Sequence, residues 1–236
     1  MKRKQRKDAQ ETRRCLLAAA AEVFAEKGYW EATHAEICHR AGANTAAINY
    51  HFTSKENLYV EAWKHSFEQS IKAHPPDGGV SPDAPVQERL HGRILAFMQR
   101  MADPSNHEVE IMHREMANPT GLLTESLHRI FEPMRQDSLA IVRELLGHDA
   151  TEQQVAFCEM SLTGLCFGPM LHLRRAGTRD MPRPPIPAFE FGVEELADHV
   201  AQFTLAGIRG IREQVGRTRK LVRKRQRRNV PGRSNS

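Results

Sequence analysis

The sequence has no long hydrophobic run and only four cysteines among its 236 residues. A helix that crosses a membrane needs about 18 or more apolar residues in succession, so we expect no membrane-spanning segment. The N-terminus "MKRKQRKDAQ" is basic but lacks the apolar core that a signal peptide needs. The cysteines show no CxxC spacing, which predicts reduced thiols in a cytoplasmic protein. They are Cys15, Cys38, Cys158 and Cys166.

Common catalytic motifs are missing as well. The sequence contains no GxSxG, no GxxxxGKS/T and no GxGxxG pattern. The segment "HEVEIMH" begins like the helix of a zinc protease, but Ile111 stands where that motif needs its second histidine. The twelve histidines have no specific metal-ligand spacing with the cysteines. We therefore expect no bound metal, no cofactor and no enzymatic activity.

The net charge of +5 hides an uneven distribution of charge. Residues 1–8 contain five Lys or Arg and one Asp, and residues 214–236 contain nine Lys or Arg and no acid. Residues 9–213 hold 20 of the 34 basic and 28 of the 29 acidic residues, a net charge of −8. The body is therefore acidic and both ends are basic. Such ends are typical either of segments that bind polyanions or of solvated, disordered tails, and composition leaves both open.

The spacing of apolar residues predicts an all-α fold. Apolar side chains recur at helical spacing over 12–27, and Gly28 fits the end of that helix. The segment "HPPDGGVSPDAP" (74–85) has four prolines and two glycines, and it predicts a boundary between domains. A proline-rich loop is predicted over 178–190. Beyond residue 85, five helices are predicted, over 86–102, 107–117, 121–146, 151–173 and 192–213.

Start signals for three successive helices lie between residues 33 and 58. Thr33 and Glu36 form a capping-box pattern, in which each side chain satisfies a free backbone amide of the other residue. Asn44 can cap the next helix, and Ser54 can cap a fourth that covers "KENLYVEAWKHSFEQSIKA". Two short helices joined by a turn at Gly42, with a longer helix on each side, make a helix-turn-helix unit.

The second short helix, in "NTAAINYHF" (44–52), has the composition of a helix that reads DNA. Ile48 and Phe52 are four residues apart, so both are expected to face the core. Small residues on the outer face would let the backbone approach the major groove, where Ala and Thr methyl groups can touch a thymine methyl. Hydroxyl, amide, imidazole and ammonium donors nearby suit phosphate oxygens. The residues expected to contact DNA are Thr33, Asn44, Thr45, Ala46, Ala47, Asn49, Tyr50, His51 and Lys55.

These residues carry a resemblance to a known family. The pattern Tx3I-x3-AG-x7-YHF-x2-KE-x-L, from Thr33 to Leu58, follows "LLAAAAEVFAEKGYWEAT" and resembles the DNA-binding head of the tetracycline-repressor (TetR) family. The resemblance covers about residues 12–65. It implies DNA contacts for Thr33, Tyr50, His51 and Lys55, and it implies a homodimer whose C-terminal domain binds an inducer. One departure is visible, since many members have Tyr where this chain has Asn49.

The segment "EIMHREMANPTGLLTESLHRIFEPMRQ" (110–136) also resembles the C-terminal domains of one subgroup of that family. The resemblance names no ligand. Family analogy makes helices 151–173 and 192–213 the dimer interface. Apolar and methionine side chains in this domain are either plain core or the lining of an effector pocket, and Arg114 either orients a polar ligand or pairs with an acid such as Glu115. The candidate pocket residues are Phe97, Met101, Met112, Arg114, Met116, Leu127, Phe131, Phe167 and Met170.

We therefore expect a basic arm over 1–8, a helix-turn-helix DNA-binding domain over 9–73, an effector-binding and dimerisation domain over 86–213, and a disordered basic tail over 214–236. The expected function is a ligand-responsive regulator, a repressor that a small-molecule effector releases from a palindromic operator in double-stranded DNA. Two alternatives from other classes remain. One is an enzyme that uses a pocket in the body, and the other is a protein-binding adaptor that keeps the head only as packing.

Overall fold

The structure is a computed structural model that describes the backbone of residues 2–176 and 192–228. Side chains are described for residues 7–169, 192–217 and 219. The predicted proline-rich loop over 178–190 lies outside the described residues. Within them all regular structure is α-helical, which confirms the predicted fold class. The helices are α1 (Lys2–Glu31), α2 (His34–Ala41), α3 (Thr45–His51), α4 (Lys55–Ala73), α5 (Val86–Ala102), α6 (His107–Ala117), α7 (Thr124–Leu146), α8 (Glu152–Ala176) and α9 (Val193–Arg228).

Local start signals explain why several helices begin where the sequence predicts. Ser54 precedes α4, and its side-chain oxygen accepts a hydrogen bond from the backbone N–H of Asn57 at 3.2 Å. Thr151 and Gln154 form a reciprocal capping box before α8, because the Thr151 hydroxyl accepts from the Gln154 N–H at 3.2 Å and the Gln154 side chain accepts from the Thr151 N–H at 2.9 Å. Such caps satisfy backbone amides that have no partner inside the helix.

Both basic ends are helical where the structure describes them. α1 begins at Lys2, so the predicted arm forms the first turns of that helix. α9 extends to Arg228, 15 residues beyond the predicted end at residue 213, and the expectation of a disordered tail is wrong as far as that residue. The extension consists mainly of Arg, Lys, Gln and Leu, which favour a helix, and the next proline comes only at Pro231.

The chain divides into two compact units, which do not coincide with the two predicted domains. The first unit contains Met1–Pro76 and Gln99–Pro133, and the second contains Asp77–Met98 and Met134–Ser236. The first unit therefore includes α6 together with the four helices of the N-terminal head.

The core of the first unit is formed by apolar residues on the inner faces of α1 to α4. Burial of each large side chain contributes about 1.5–3 kcal/mol relative to leaving it exposed. Phe24 and Tyr59 pack edge to face, with ring centroids 4.8 Å apart. Residues that are almost completely buried include Leu16, Phe24, Ile37, Ile48, Phe52, Leu58, Tyr59 and Trp63.

The second unit has its own core, and arginines of α5 connect its parts. Arg89 donates to the carbonyl of Ala84 at 3.0 Å and to the carboxylate of Glu144 on α7 at 2.5 Å. Arg93 donates to the carbonyl of Met134 at 2.9 Å and to the hydroxyl of Ser138 at 3.1 Å. The buried apolar residues of this unit include Leu90, Ile94, Val142, Val155 and Ala197.

Candidate nucleic-acid interface

The turn between α2 and α3 has the geometry that a helix-turn-helix unit requires. Gly42 ends α2 with φ 63° and ψ 30°, a left-handed conformation that glycine adopts without steric cost. Its N–H bonds back to the carbonyls of Cys38 and His39. Asn44 then caps α3, because its side-chain oxygen accepts from the Ala47 N–H at 3.0 Å. The predicted cap role of Asn44 is thus confirmed, and that oxygen is committed to its own helix.

The inner face of α3 is fixed by two apolar side chains. Ile48 is 0% exposed and Phe52 is 1% exposed, as the four-residue spacing predicts. The Arg13 guanidinium lies over the Phe52 ring, 5.2 Å from its centroid, and helps to hold this end of α3 against α1. Because the inner face is anchored, the opposite face of the helix is held outward.

The outer face of α3 carries small and polar side chains. Thr45, Ala46 and Asn49 are exposed, Ala47 is half-buried, and the Tyr50 side chain is 79% exposed. An aromatic residue with that exposure gains little from packing. The Tyr50 ring makes an edge contact with the half-buried His51 ring, at 4.8 Å between centroids. This face can therefore present methyl groups, an amide and a phenol to a ligand as large as a DNA groove.

Lys55, at the start of α4, is held next to this face by Tyr29. The ammonium lies 4.7 Å from the centroid of the Tyr29 ring, and partial burial lowers the pKa of the Lys55 amine. The Tyr29 hydroxyl donates to the Glu56 carboxylate at 2.6 Å. That hydrogen bond is the main cause that lowers the pKa of Glu56 to about 2, while burial first and then Glu56 raise the pKa of Tyr29 to about 12.

A cluster of ion pairs fastens α2 to α1, and it changes one expectation. The Thr33 hydroxyl accepts from the Glu36 N–H at 3.3 Å, but the Glu36 carboxylate bonds Lys27 at 2.6 Å and Arg40 at 2.8 Å. The predicted capping box is therefore only half formed, because two cations compete for the carboxylate. Arg40 also makes a two-pronged contact with Glu26, at 2.7 and 2.6 Å. Sequence reasoning did not identify this cluster, although the i,i+4 spacing of Glu36 and Arg40 is a signal for part of it.

Arg114, one of the predicted effector-pocket residues, is engaged elsewhere. Its guanidinium donates to the carbonyl of Ala25 at 2.5 Å and to the carbonyl of Glu26. These carbonyls lie at the end of the first part of α1, which breaks at Gly28 with φ 74°. Of the two alternatives for Arg114, the pair with an acid such as Glu115 is not formed, because backbone carbonyls of α1 are its partners. Arg114 and Trp30 line a cavity of about 160 Å³ between the end of α1 and the end of α6.

The other predicted pocket residues are distributed over both units. In the first unit Met101 is buried, Met112, Leu127 and Phe131 are half-buried, and Met116 is 66% exposed, which places Met116 on the surface rather than in a pocket. In the second unit the rings of Phe97 and Phe167 lie 6.1 Å apart. The Met170 side chain lies outside the described residues.

The described residues contain no group of three or more His, Cys, Asp or Glu side chains that could hold a metal ion. Cys38, Cys158 and Cys166 are buried, and all four cysteines are free thiols. Burial raises the pKa of the Cys166 thiol to about 12, which keeps it protonated and poorly nucleophilic. None of the described helices combines the length and the apolar composition that a bilayer-spanning segment needs.

Two family models match the chain, one on each side of residues 63–85. Residues 16–62 match the model "Bacterial regulatory proteins, tetR family". Residues 86–208 match the model "HTH-type transcriptional dual regulator CecR, C-terminal domain". The first match covers the helix-turn-helix unit, and the second covers more than half of the chain.

Individual relatives agree with these models. The transcriptional regulator SrpR of Pseudomonas putida is 25% identical over 156 residues, which are 66% of this chain and 68% of SrpR. The dual regulator CecR of Shigella flexneri is 26% identical over 165 residues, 66% of this chain and 74% of CecR.

Two solved structures share the fold. A putative transcriptional regulator from Pseudomonas aeruginosa PAO1 has a TM-score of 0.65 at 17% identity, covering 87% of this chain and 95% of that one.

The second structure is the fatty acid degradation regulator FadR from Bacillus halodurans, with a TM-score of 0.62 at 15% identity, covering 84% of this chain and 96% of that one. The similarity to both structures concerns the fold alone.

The head has an anchored helix with an outward polar face, and the family models cover both the head and the body. The chain therefore belongs to the tetR family of bacterial regulatory proteins, as a helix-turn-helix transcriptional regulator with a C-terminal domain of the CecR type.

Proposed function

We propose that this protein is a cytoplasmic homodimer that binds a palindromic operator in double-stranded DNA and represses transcription until a small-molecule effector releases it. The effector would bind to the C-terminal body. It needs only to prefer the conformation in which the two heads do not match the operator spacing, and its differential affinity for the two conformations sets the size of the response.

The outer face of α3 is the single observation that carries this proposal. Ile48 and Phe52 hold the helix by its inner side, while Tyr50 is 79% exposed and is flanked by exposed Thr45 and Ala46. Such a face, small enough for close approach and rich in groups that read base edges, suits insertion into the major groove. In this assignment Thr45, Ala46, Ala47 and Tyr50 lie against bases.

Phosphate contacts would fix the register of that helix on the duplex. Asn49, His51 and Lys55 carry donors near the outer face of α3, and Thr33 lies at the N-terminus of α2, where backbone amides favour an anion. The basic first turns of α1 would add sequence-independent attraction. In a dimer, the two α3 helices would contact half-sites whose centres are separated by about 34–36 Å, or a multiple of that distance.

An exposed apolar face in the second unit supports the dimer. Phe157 and Met160 on α8 are 57% and 65% exposed, and Phe203 on α9 is 59% exposed. Exposed patches of large apolar side chains often mark surfaces that bind another protein. The proposed interface is therefore this face of α8 and α9, paired with the same face of a second copy.

The effector site is proposed within the body, at apolar side chains that the sequence identifies. The facing rings of Phe97 and Phe167 are candidates in the second unit. Phe131 is a candidate in the first unit, where its ring packs edge-on against Phe67 at 5.5 Å and against Trp63 at 6.1 Å. Aromatic walls of this kind favour an effector with substantial apolar surface.

Binding to the DNA upstream of the protein's own gene tests this function. The purified protein is titrated against that fragment and against a scrambled duplex, across a series of salt concentrations. We expect a preference of about 10³ or more for the native fragment, with a palindromic footprint. Equal binding to both duplexes, vanishing with salt, would show that charge alone holds the protein on DNA and would contradict the proposal.

Variants of the interface sharpen the same experiment. The double substitution Tyr50→Ala with Lys55→Ala should weaken operator binding by about 1–3 kcal/mol, because Tyr50 no longer reads a base, and should lower the salt slope by about 1, because Lys55 no longer neutralises a phosphate. Lys72→Ala is the matched control, because Lys72 is exposed on the same helix 17 residues away, about 25 Å along the axis. An adaptor that keeps the head only as packing would bind its partner equally well with either variant.

A further inference from the structure

Two neighbouring residues near the end of α6 bond to two different helices of the head. Arg114 donates to the carbonyls of Ala25 and Glu26, where α1 would otherwise leave them without a helical partner. The adjacent Glu115 points to α4 instead, and its carboxylate accepts from the Tyr59 hydroxyl at 3.0 Å. α6 is thus bonded to both long helices that flank the helix-turn-helix unit.

Glu115 accepts more hydrogen bonds than Arg114 donates. It is 8% exposed, and besides Tyr59 it accepts hydrogen bonds from the Thr120 N–H, the Thr120 hydroxyl and the Gly121 N–H, each at 2.9 Å. A buried carboxylate with this many donors has a fixed position, since each donor left without a partner would be costly. The Tyr59 hydroxyl is therefore held at a defined point.

A continuous set of contacts leads from Glu115 to a proposed DNA contact. The Tyr59 ring packs edge-on against the Tyr29 ring, with centroids 5.2 Å apart. The Tyr29 ring supports the Lys55 ammonium at 4.7 Å, and the Tyr29 hydroxyl donates to Glu56 at 2.6 Å. Lys55 is therefore placed by an aromatic pair whose inner member is fixed by α6.

We propose that Glu115, acting through Tyr59 and Tyr29, is a positioning residue for Lys55, and that α6 thereby forms part of the DNA-binding apparatus. The assignment rests on the proposed function, because Lys55 matters only if the head binds DNA. Glu115 itself does not touch DNA. Arg114 contributes by bonding to the end of the first part of α1, at Ala25 and Glu26, shortly before Tyr29 in the chain.

A double-mutant cycle tests the assignment. Tyr59→Phe removes the hydroxyl that Glu115 holds and keeps the ring, so operator affinity should fall by about fivefold and the salt slope by up to about 0.9, the equivalent of one phosphate contact. Lys55→Ala should also weaken binding. If Glu115 acts through Lys55, adding Tyr59→Phe to Lys55→Ala should cause little further loss, because substitutions that act through one shared partner, here Tyr29, are not additive.

Glu108→Gln is the matched control. Glu108 is a buried carboxylate at the other end of the same helix, 5% exposed, and it accepts from Ser66 rather than from Tyr59. The control should change thermal stability and leave operator affinity and salt slope unchanged. Unchanged binding by Tyr59→Phe, or a loss that adds fully to that of Lys55→Ala, would overturn the proposal and reduce Glu115 to a structural role.

Thr120→Val provides a second variant, with circular dichroism at the assay temperature as the check on folding. It removes the Thr120 hydroxyl, which donates to the Glu115 carboxylate. We expect a smaller loss of operator affinity than for Tyr59→Phe, and that loss should disappear in the Lys55→Ala background. The salt slope on a scrambled duplex separates the two proposals. A wild-type protein without operator preference contradicts the proposed function, whereas the slope on scrambled DNA still shows whether Tyr59 positions Lys55.

Discussion

Tyr29 contacts both Lys55, a proposed DNA contact, and Glu56, whose carboxyl group has an unusually low pKa. Its hydroxyl is the largest cause of the low pKa of Glu56, which is about 2. Tyr29→Phe should therefore raise the pKa of Glu56 towards its ordinary value of 4.5, as a titration of the side-chain carboxyl by NMR would measure. Tyr50→Phe is the control, since it removes an exposed hydroxyl and should leave the pKa of Glu56 unchanged.

The low pKa of the Glu56 carboxyl also makes the stability of the fold depend on pH. Because the folded pKa of Glu56 is below the unfolded value, its contribution to stability is complete above about pH 4.5 and is lost as the pH falls towards 2. Glu26 and Glu36 act in the same direction. A hydrogen bond from Arg40 lowers the pKa of Glu26, and hydrogen bonds from Lys27 and then Arg40 lower the pKa of Glu36. Denaturant titrations between pH 5 and 2 should show a steeper fall for the wild type than for Tyr29→Phe. Parallel curves would contradict this role of Glu56.

The sequence predicts which residues of α3 are buried and which are exposed, but it does not predict the hydrogen bonds between distant residues. Ile48 and Phe52 are buried and Tyr50 is exposed as their spacing indicates, because helical periodicity is a property of neighbours. By contrast, 56 residues separate Tyr59 from Glu115, and 89 separate Arg114 from Ala25. No periodicity connects such positions, so only the folded chain reveals that α6 bonds to the head.

Helix boundaries also differ in whether local residues or distant contacts determine them. α5 and α6 begin and end at the predicted residues, because Pro and Gly before α5 and the turn over 103–106 are local signals. α7 begins at Thr124 rather than at residue 121, since Glu115 fixes a turn there in which Gly121 has φ 75°. α9 continues past residue 213 into a segment with many Arg and Lys residues, which favour a helix.

The basic start of α1 has a testable role as an element of DNA binding. Deleting residues 2–7 removes five Lys and Arg and should weaken binding to operator and random DNA alike, while flattening the salt slope by about 0.9 for each phosphate that these cations neutralise. A variant with these five residues changed to Gln keeps the helix length and should behave like the deletion. An unchanged salt slope would show that these cations do not contact DNA.

The exposed face of α8 and α9 makes a prediction about assembly. Phe203→Arg places a charge in the proposed interface, which should convert a dimer into monomers in sedimentation experiments. Operator affinity should fall by at least about 100-fold, on the order-of-magnitude scale of losing a linked second site, while binding to one isolated half-site is retained. Arg209→Ala, an exposed change on the same helix, serves as the control for α9. A Phe203→Arg variant that remains dimeric would place the interface elsewhere.

The division into compact units shows which fragment of the chain is needed to keep the head intact. α6 belongs with Met1–Pro76 in one unit, and it supplies Arg114 and Glu115 to α1 and α4. A fragment that ends after α4 would expose the Tyr59 hydroxyl and the carbonyls of Ala25 and Glu26. The head that we propose to bind the operator is therefore defined by contacts between distant parts of the chain rather than by a continuous segment.

The chain contains two tryptophans, and their surroundings differ sharply. Trp63 is 0% exposed in the core, whereas Trp30 is 64% exposed and borders the cavity between the ends of α1 and α6. Red-shifted emission and quenching by acrylamide should therefore come almost entirely from Trp30. The protein thus carries its own fluorescent reporter at the junction of α1 and α6, and changes there can be followed in solution without any label.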